Sequence, residues 1–239
     1  RDAAWARAEA ADVVGAIVPA VEPASWAKTL ACSRDGGRYA ALGVHPQYLP
    51  RLTAAALDDA LAALVTSARS SGPRVVAVGE CGFDGSSDVF RAEASLQRRV
   101  FVAHVEAARA LDLPLVVHVL KAHGEALAAM RAVTLPRRPG VIHSFSGSAE
   151  LAKVYADLGF ACSFAGPVTW PRARKPKWAA AAVPAHTLAW QNVPADAQAA
   201  AIARFGVEGF VEIVVLSGFY QMFAAINQGF AVARPGPGG

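Results

Sequence analysis

Side chains that can do chemistry stand at the ends of three separate apolar runs of the sequence. Glu80 lies in VAVGECGFD, His118 in LPLVVHVLKAH and His143 in GVIHSFSGS. One carboxylate and two imidazoles carried by three strands have the composition of a divalent-metal site. Each residue taken alone is as well explained by a structural hydrogen bond. Their recurrence at successive predicted strand ends favours a shared site in which all three bind one ion.

The elements that must position these side chains alternate along the chain. Short β-branched or apolar runs predict strands at 13–20, 39–45, 75–80, 115–118, 141–144 and 160–165. Alanine-rich stretches predict helices at 24–33, 53–70, 90–111, 122–132, 149–158 and 172–181. This alternation is typical of α/β proteins with a parallel sheet, in which each helix is one crossover between strands.

The position of the ionisable residues favours one of two parallel-sheet architectures. A TIM-type (β/α) barrel collects its catalytic residues where its strands end, as is predicted for Glu80, His118 and His143. A doubly wound open sheet requires a glycine-rich phosphate turn after an early strand. The nearest glycine pair, Gly36 and Gly37, precedes a strand instead. We therefore expect a TIM-type barrel.

Composition excludes several classes of protein. The chain has 239 residues, 54% hydrophobic and 18% charged, so it can bury a core and is too apolar for intrinsic disorder. A net charge of +4 permits an anionic partner without requiring one. Cys32, Cys81 and Cys162 are far apart in the sequence, which argues against a disulfide framework or a zinc finger and predicts a reducing, cytoplasmic location.

One apolar segment raises the question of a membrane span. Residues 213–233 carry no charge, but Ser217, Gln221, Asn227 and Gln228 interrupt the segment. These polar residues favour a buried or interface helix over a membrane span. The first residues of the chain lack the apolar stretch of a secretory signal peptide. We therefore expect no membrane association.

Five segments give the chain a resemblance to a known family. They are GVHPQ at 43–47, VGECGFD at 78–84, the run at 91–123, HSFSGS at 143–148 and GFACSFAGPVTW at 159–170. In this order over residues 1–188, the sequence resembles the TatD-like metal-dependent hydrolases, or TatD-type deoxyribonucleases, which are amidohydrolase-type barrels. The resemblance implies a TIM-type barrel, a centre with one or two divalent ions (Mg²⁺, Mn²⁺ or Zn²⁺) and hydrolysis of phosphoester bonds, commonly of DNA.

The same resemblance implies roles for individual residues. Glu80 matches the bridging glutamate, which makes it the expected catalytic residue, and His118 and His143 match two histidine ligands of the second metal ion. The candidates for contact with DNA or a small phosphoester are His45, Ser146, Arg172, Arg174 and Lys175. A capping or turn role accounts equally well for His45. The three cations are accounted for equally well by a solvated loop.

The sequence departs from the family pattern at both ends. The His-x-His with which the family's first strand ends is absent, and HTLAWQNV stands where its last strand ends in Glu-Thr-Asp. We expect residues 1–188 to form an incomplete, N-terminally truncated hydrolase barrel whose first strand is missing. A helical tail at 189–239 is expected to replace the last strand. The missing ligands predict an impaired activity.

The tail carries a second resemblance. Residues 190–239 are similar to the C-terminal helix of carboxymuconolactone-decarboxylase-like proteins, which are small helical oligomers. This similarity implies self-association through the 207–232 helix, without that family's catalysis. Two alternatives to a DNase-like hydrolase remain open. One is an inactive remnant that binds metal or nucleic acid, and the other is a carboxymuconolactone-decarboxylase-like fusion.

Overall fold

A computed structural model of the chain describes residues 5–6, 10, 13, 15–33 and 37–164. The predicted helix at 172–181, the uncharged segment at 213–233 and the whole tail at 189–239 lie outside these residues. Within the described part of the chain, no helix combines the length and the hydropathy that crossing a bilayer would require.

In the part of the chain that the structure describes, six strands form a single sheet in which they follow one another in chain order. They are β1 (Ala16–Pro19), β2 (Arg38–Leu42), β3 (Val75–Asp84), β4 (Leu115–Leu120), β5 (Gly140–His143) and β6 (Phe160–Cys162). The pairings of β2 with β3, β3 with β4 and β4 with β5 are all parallel. Successive βα units produce this order, and the predicted α/β class is therefore confirmed.

Among the described residues, six α-helices connect or flank the strands. They are α1 (Trp26–Cys32), α2 (Ala54–Ser70), α3 (Asp88–Ala92), α4 (Ala94–Leu111), α5 (His123–Arg131) and α6 (Ala149–Asp157). The single helix predicted at 90–111 is wrong, because the chain forms α3 and α4 there with a break at Glu93. The carbonyl of Phe90 accepts from the Glu93 N–H (3.2 Å) and from the Gln97 side chain (2.7 Å), and these bonds replace the regular helical partner.

Two compact units contain the described residues. The first consists of Ile17–His143 with Leu158–Phe160 and holds β2 to β5 and α1 to α5. The second includes 144–157 and 161–164 among the described residues. Glu80, His118 and His143 all belong to the first unit, which therefore carries the predicted metal ligands.

Apolar packing around β3 and β4 forms the core of the first unit. Leu115, Val116 and Val117 are consecutive and fully buried, so both faces of β4 are covered. Helix α4 packs on β3, where the rings of Phe83 and Phe101 lie 5.3 Å apart between centroids. The strands that carry the candidate site are thus held on both sides by close-packed side chains.

The second unit has an aromatic cluster of its own. The Phe145 N–H donates to the carbonyl of Ser163 (2.7 Å). The Phe145 ring meets Tyr155 and Phe164 edge to face, with 6.0 Å between centroids in each pair. Edge-to-face pairs of this kind add to the stability that the buried ring area supplies.

Strand β3 is longer than the sequence predicts, since it continues to Asp84 rather than ending at Glu80. Its second half, GECGFD, is rich in glycine and acidic residues and therefore has the composition of a loop. The reason for the extension is Gly82, whose φ of 132° is open to glycine alone and lets β3 continue against the backbone of His118.

A histidine of α4 is buried in the core and hydrogen-bonded at both nitrogens. His104 is fully buried, its Nδ1–H donates to the carbonyl of Val100 (2.7 Å) and its Nε2 accepts from the Val44 N–H (3.0 Å). Protonation of Nε2 would place its N–H against the Val44 N–H and break this hydrogen bond. Burial lowers the pKa of His104 to about 4, although the bond to Val100 opposes this shift.

The depressed pKa of His104 predicts a pH-dependent stability. The pKa of His104 is about 4 in the folded chain, and an unfolded histidine titrates near 6.5. The stability that the neutral, buried His104 contributes is therefore complete above pH 6.5 and is lost as the pH falls towards 4. Between pH 7 and pH 5 the loss is about 2 kcal/mol. Urea unfolding at both pH values should show a smaller decrease for His104→Gln than for the wild type. Equal decreases in the two proteins would contradict the assignment.

Candidate metal centre

A bulge in β3 places Glu80 outside the regular ladder. Gly79 and Cys81 pair with consecutive residues of β4, so no residue of β4 stands opposite Glu80. The Glu80 N–H donates instead to the carbonyl of Ala20 (3.2 Å). An extra residue in one strand interrupts the ladder and redirects the side chain.

The next two strands bring histidines to the same carboxylate. His118 of β4 and His143 of β5 are Cα partners in the parallel ladder. Glu80 Oε1 lies 3.4 Å from His118 Nδ1 and 3.9 Å from His143 Nε2. The structure therefore brings together the three side chains that the sequence predicts as metal ligands, around one buried oxygen.

His45 joins this cluster from the end of β2. The Trp26 indole N–H donates to the carbonyl of Gly43 (2.9 Å), and the His45 N–H donates to the carbonyl of Val21 (2.9 Å). The segment fixed in this way places His45 Nε2 3.4 Å from Glu80 Oε1. The sequence predicts His45 as a substrate-binding residue, and the structure places it beside the predicted metal ligands.

The hydrogen bond at the other ring nitrogen of His45 determines what the ring can do. The Gln47 N–H donates to His45 Nδ1 (3.2 Å), so the lone pair of Nδ1 is used there. The proton of the neutral ring then resides on Nε2, which faces Glu80. A metal ligand needs a free lone pair, whereas this nitrogen presents a proton. His45 is thus suited to donate a hydrogen bond rather than to bind an ion.

Asp84, at the end of β3, is a member of the cluster that the sequence analysis missed. Its side chain is fully buried, and its Oδ2 lies 2.9 Å from His118 Nε2 and 2.7 Å from Gln47 Nε2. A signal was present in the sequence, because Asp84 follows Glu80 by an even number of residues and side chains alternate along a strand. The glycine-rich composition of 79–82 concealed that the strand continues.

The two carboxyl groups are held in their charged forms. Burial opposes ionisation of Glu80, but hydrogen bonds with His118 and His45 outweigh burial and hold the Glu80 pKa well below its usual range. Burial also disfavours the charged form of Asp84. Hydrogen bonds with His118, Ser86 and Gln47 nevertheless lower the pKa of this carboxyl.

The two histidines on β4 and β5 differ in charge. Burial disfavours the His118 cation, but hydrogen bonds to Asp84 and Glu80 raise its pKa to about 9. Burial lowers the pKa of His143 to about 4 and outweighs its attraction to Glu80. At neutral pH His118 is therefore a cation between two carboxylates, and an ion that binds at its Nδ1 must displace a proton. His143 is already in the neutral form that binds metals.

The donor set fits a divalent cation. Atoms of His45, Glu80 and His118 lie within 4.8 Å of one another, and of these three residues Glu80 and His118 are suited to bind an ion. His143 adds a third imidazole nitrogen near the same carboxylate oxygen. Carboxylate oxygen and imidazole nitrogen are the ligands that Zn²⁺ and Mn²⁺ accept in proteins. Two buried carboxylates also provide the negative charge that a divalent cation requires.

The remaining predicted substrate contacts are Ser146, Arg172, Arg174 and Lys175. Ser146 is exposed and belongs to the second unit, whereas the cluster belongs to the first. Arg172, Arg174 and Lys175 lie outside the described residues, as does the 207–232 segment predicted to self-associate. Their roles stay predictions.

Comparison with known sequences identifies related proteins. Residues 1–189 match the family described as TatD related DNase. The uncharacterized metal-dependent hydrolase YjjV of Escherichia coli (strain K12) is 33% identical over 190 residues, which are 78% of this chain and 70% of that protein. The 3′-5′ ssDNA/RNA exonuclease TatD of Erwinia billingiae (strain Eb661) is 31% identical over 169 residues, 70% of this chain and 61% of that protein.

Comparison of structures agrees with the sequence matches. The crystal structure of YjjV, a TatD homologue from Escherichia coli K12, gives a TM-score of 0.70 at 29% sequence identity. The match covers 90% of this chain and 88% of that chain. The expected TIM-type class is thereby confirmed by fold similarity, and the expected metal cofactor agrees with the description of YjjV as metal-dependent.

Proposed function

Because the chain belongs to the TatD related DNase family, we propose that it hydrolyses phosphoester bonds of DNA with the help of a divalent metal ion. The observation that carries the proposal is the single oxygen Glu80 Oε1, which lies 3.4 to 3.9 Å from nitrogens of His45, His118 and His143. A relative named as an exonuclease of single-stranded DNA and RNA supports DNA as the substrate. The net charge of +4 is compatible with a polyanion.

Three side chains would hold the ion: the Glu80 carboxylate, His118 through Nδ1 and His143 through Nε2. A bound divalent ion supplies Lewis-acid chemistry, which polarises a phosphoryl oxygen and favours ionisation of water near neutral pH. Burial of Glu80 keeps bulk water from competing for this ligand. Mg²⁺, Mn²⁺ and Zn²⁺ are the candidate ions.

His45 has a separate role in this proposal. Its Nε2–H, fixed by the bond that Nδ1 accepts from Gln47, points into the cluster beside Glu80. A phosphate oxygen that enters the cluster is the natural acceptor for this proton donor. His45 would thus orient the phosphoester, while Glu80 and the other two histidines hold the ion.

The proposed activity is localised to the N-terminal part of the chain. The family match ends at residue 189, next to the proposed boundary between a hydrolase domain at 1–188 and a tail at 189–239. The described cluster lies entirely within 45–143. In this assignment residues 189–239 supply no ligand.

The proposal is tested with the purified chain and an end-labelled single-stranded oligonucleotide. Mg²⁺, Mn²⁺ or Zn²⁺ should support cleavage, and a chelator should abolish it. His118→Ala should lose both metal binding and cleavage. His45→Ala should retain metal affinity within about threefold and lose cleavage by roughly 10²-fold, because it removes a donor to the phosphate and no ligand. Isothermal titration with Zn²⁺ and a gel assay measure the two quantities.

His123→Ala is the matched control, since it removes an imidazole at the start of α5, outside the cluster. It should leave both quantities unchanged. Cleavage that persists in chelator and in His118→Ala would refute the proposed function. Metal binding without any cleavage would instead favour the alternative of an inactive metal-binding remnant.

A further inference from the structure

Asp84 has a set of contacts that a purely structural carboxylate at a strand end does not need. Its Oδ2 meets both the His118 ring at Nε2 (2.9 Å) and the Gln47 side-chain amide (2.7 Å). Its Oδ1 accepts from the Ser86 N–H (2.7 Å). The side chain is fully buried, so no solvent competes for these three donors.

The backbone of Asp84 is itself clamped by a buried amide from α4. Gln97 is 2% exposed. Its Oε1 accepts from the Asp84 N–H (2.8 Å), and its Nε2 donates to the carbonyls of Asp84 (3.1 Å) and Phe90 (2.7 Å). Three hydrogen bonds of the Gln97 side-chain amide are thus made to the two ends of the segment 84–90. The carboxylate therefore has little freedom to move away from His118.

The contact with His118 decides which of its nitrogens is available. Asp84 Oδ2 accepts a hydrogen bond from the His118 Nε2–H, so the nitrogen of His118 that faces Glu80, at 3.4 Å, is Nδ1. A carboxylate that holds the outer N–H of a ligating histidine fixes both the tautomer and the ring orientation. The bond to Gln47 links the same carboxylate to the segment that carries His45.

From this geometry we propose that Asp84 is a positioning residue of the metal centre, which holds His118 with Nδ1 towards Glu80 and is itself held by Gln97. The proposal rests on the proposed function, because it takes His118 to be a metal ligand. Asp84 touches neither the ion nor the substrate in this scheme. It acts through His118 and, by way of Gln47, on the position of His45.

The proposal predicts a specific defect in Asp84→Asn. An amide has one acceptor atom, so it cannot accept from His118 and Gln47 on one side and from Ser86 on the other. Zn²⁺ affinity, measured by isothermal titration, should fall by about 10- to 100-fold. Asp58→Asn, which removes a surface ion pair with Arg99, is the matched control and should leave the affinity unchanged.

A second readout separates positioning from a merely structural role. In the Zn²⁺-loaded wild-type chain, ¹⁵N-histidine NMR should show His118 as the Nε2–H tautomer with a slowly exchanging proton, assigned by its loss in His118→Ala. Asp84→Ala should abolish slow exchange of this proton. A structural role alone would lower the melting temperature of the metal-free chain and leave both the affinity of the folded molecule and the tautomer unchanged.

The outcomes distinguish this proposal from the proposed function. If His118→Ala loses Zn²⁺ binding and Asp84→Asn does not, the positioning role is refuted and the metal site stands. If His118→Ala also binds Zn²⁺ normally, the metal site itself is refuted. Should Asp84→Asn fail to fold, the wild-type spectrum still decides, because an Nδ1–H tautomer for His118 in the loaded protein would overturn the proposal.

Discussion

Replacement of Glu80 by glutamine is expected to lower DNA hydrolysis by roughly 10³-fold or more, which is about 4 kcal/mol of transition-state stabilisation. Glu80 is 5% exposed, and its Oε1 is the atom around which three histidine nitrogens gather. Glutamine keeps the size of the side chain and removes its charge. A divalent ion would then lack the carboxylate that is central to the proposed donor set.

This loss is measured with the end-labelled oligonucleotide at saturating Mn²⁺, so that weaker metal binding alone does not account for it. Glu106→Gln is the matched control, because Glu106 is an exposed residue of α4 in the same unit. Its cleavage rate should equal that of the wild type. A Glu80→Gln protein that cleaves within about tenfold of the wild type would exclude Glu80 from the chemistry.

The parts of the fold that follow from local pattern could be predicted from the sequence. Leu115–Leu120 and Gly140–His143 are short apolar runs that each contain one histidine, and the structure forms strands there whose histidines are Cα partners. Thr53 precedes an alanine-rich stretch, and it caps α2 by accepting from the Ala56 N–H (3.2 Å). The residues that indicate each of these elements lie close together in the sequence, so the elements can be predicted without knowledge of tertiary contacts.

The features that could not be predicted from the sequence depend on contacts between distant segments. Gln97 and His104 occupy a helix in which polar residues are common, and nothing in their neighbourhood shows that both side chains are buried. Their partners, Asp84 and Val44, are 13 and 60 residues away. The sequence likewise gives no indication of the bulge that leaves Glu80 without a partner in β4. At such positions the local sequence does not predict the structure, which is typical of functional sites.

Introduction of a methyl group at Gly82 is expected to produce a large loss of stability in the first unit. Gly82 has φ of 132°, a conformation that costs a residue with a side chain of order 1–3 kcal/mol. A Cβ there would also overlap the carbonyl oxygen of His118, which belongs to a buried backbone and cannot rotate away. We expect Gly82→Ala to lower the free energy of unfolding by more than about 3 kcal/mol.

The displaced atom belongs to the backbone of a proposed metal ligand, so Gly82→Ala should weaken Zn²⁺ binding as well as folding. Gly124→Ala is the matched control. Gly124 lies in the first turn of α5 with open space where a Cβ would stand, and alanine there should raise stability by up to about 1 kcal/mol. Urea unfolding of both variants measures the difference. If Gly82→Ala unfolds at the same urea concentration as the wild type, β3 does not pair with β4 at His118, and the extension of β3 to Asp84 on which the placement of that carboxylate depends is wrong.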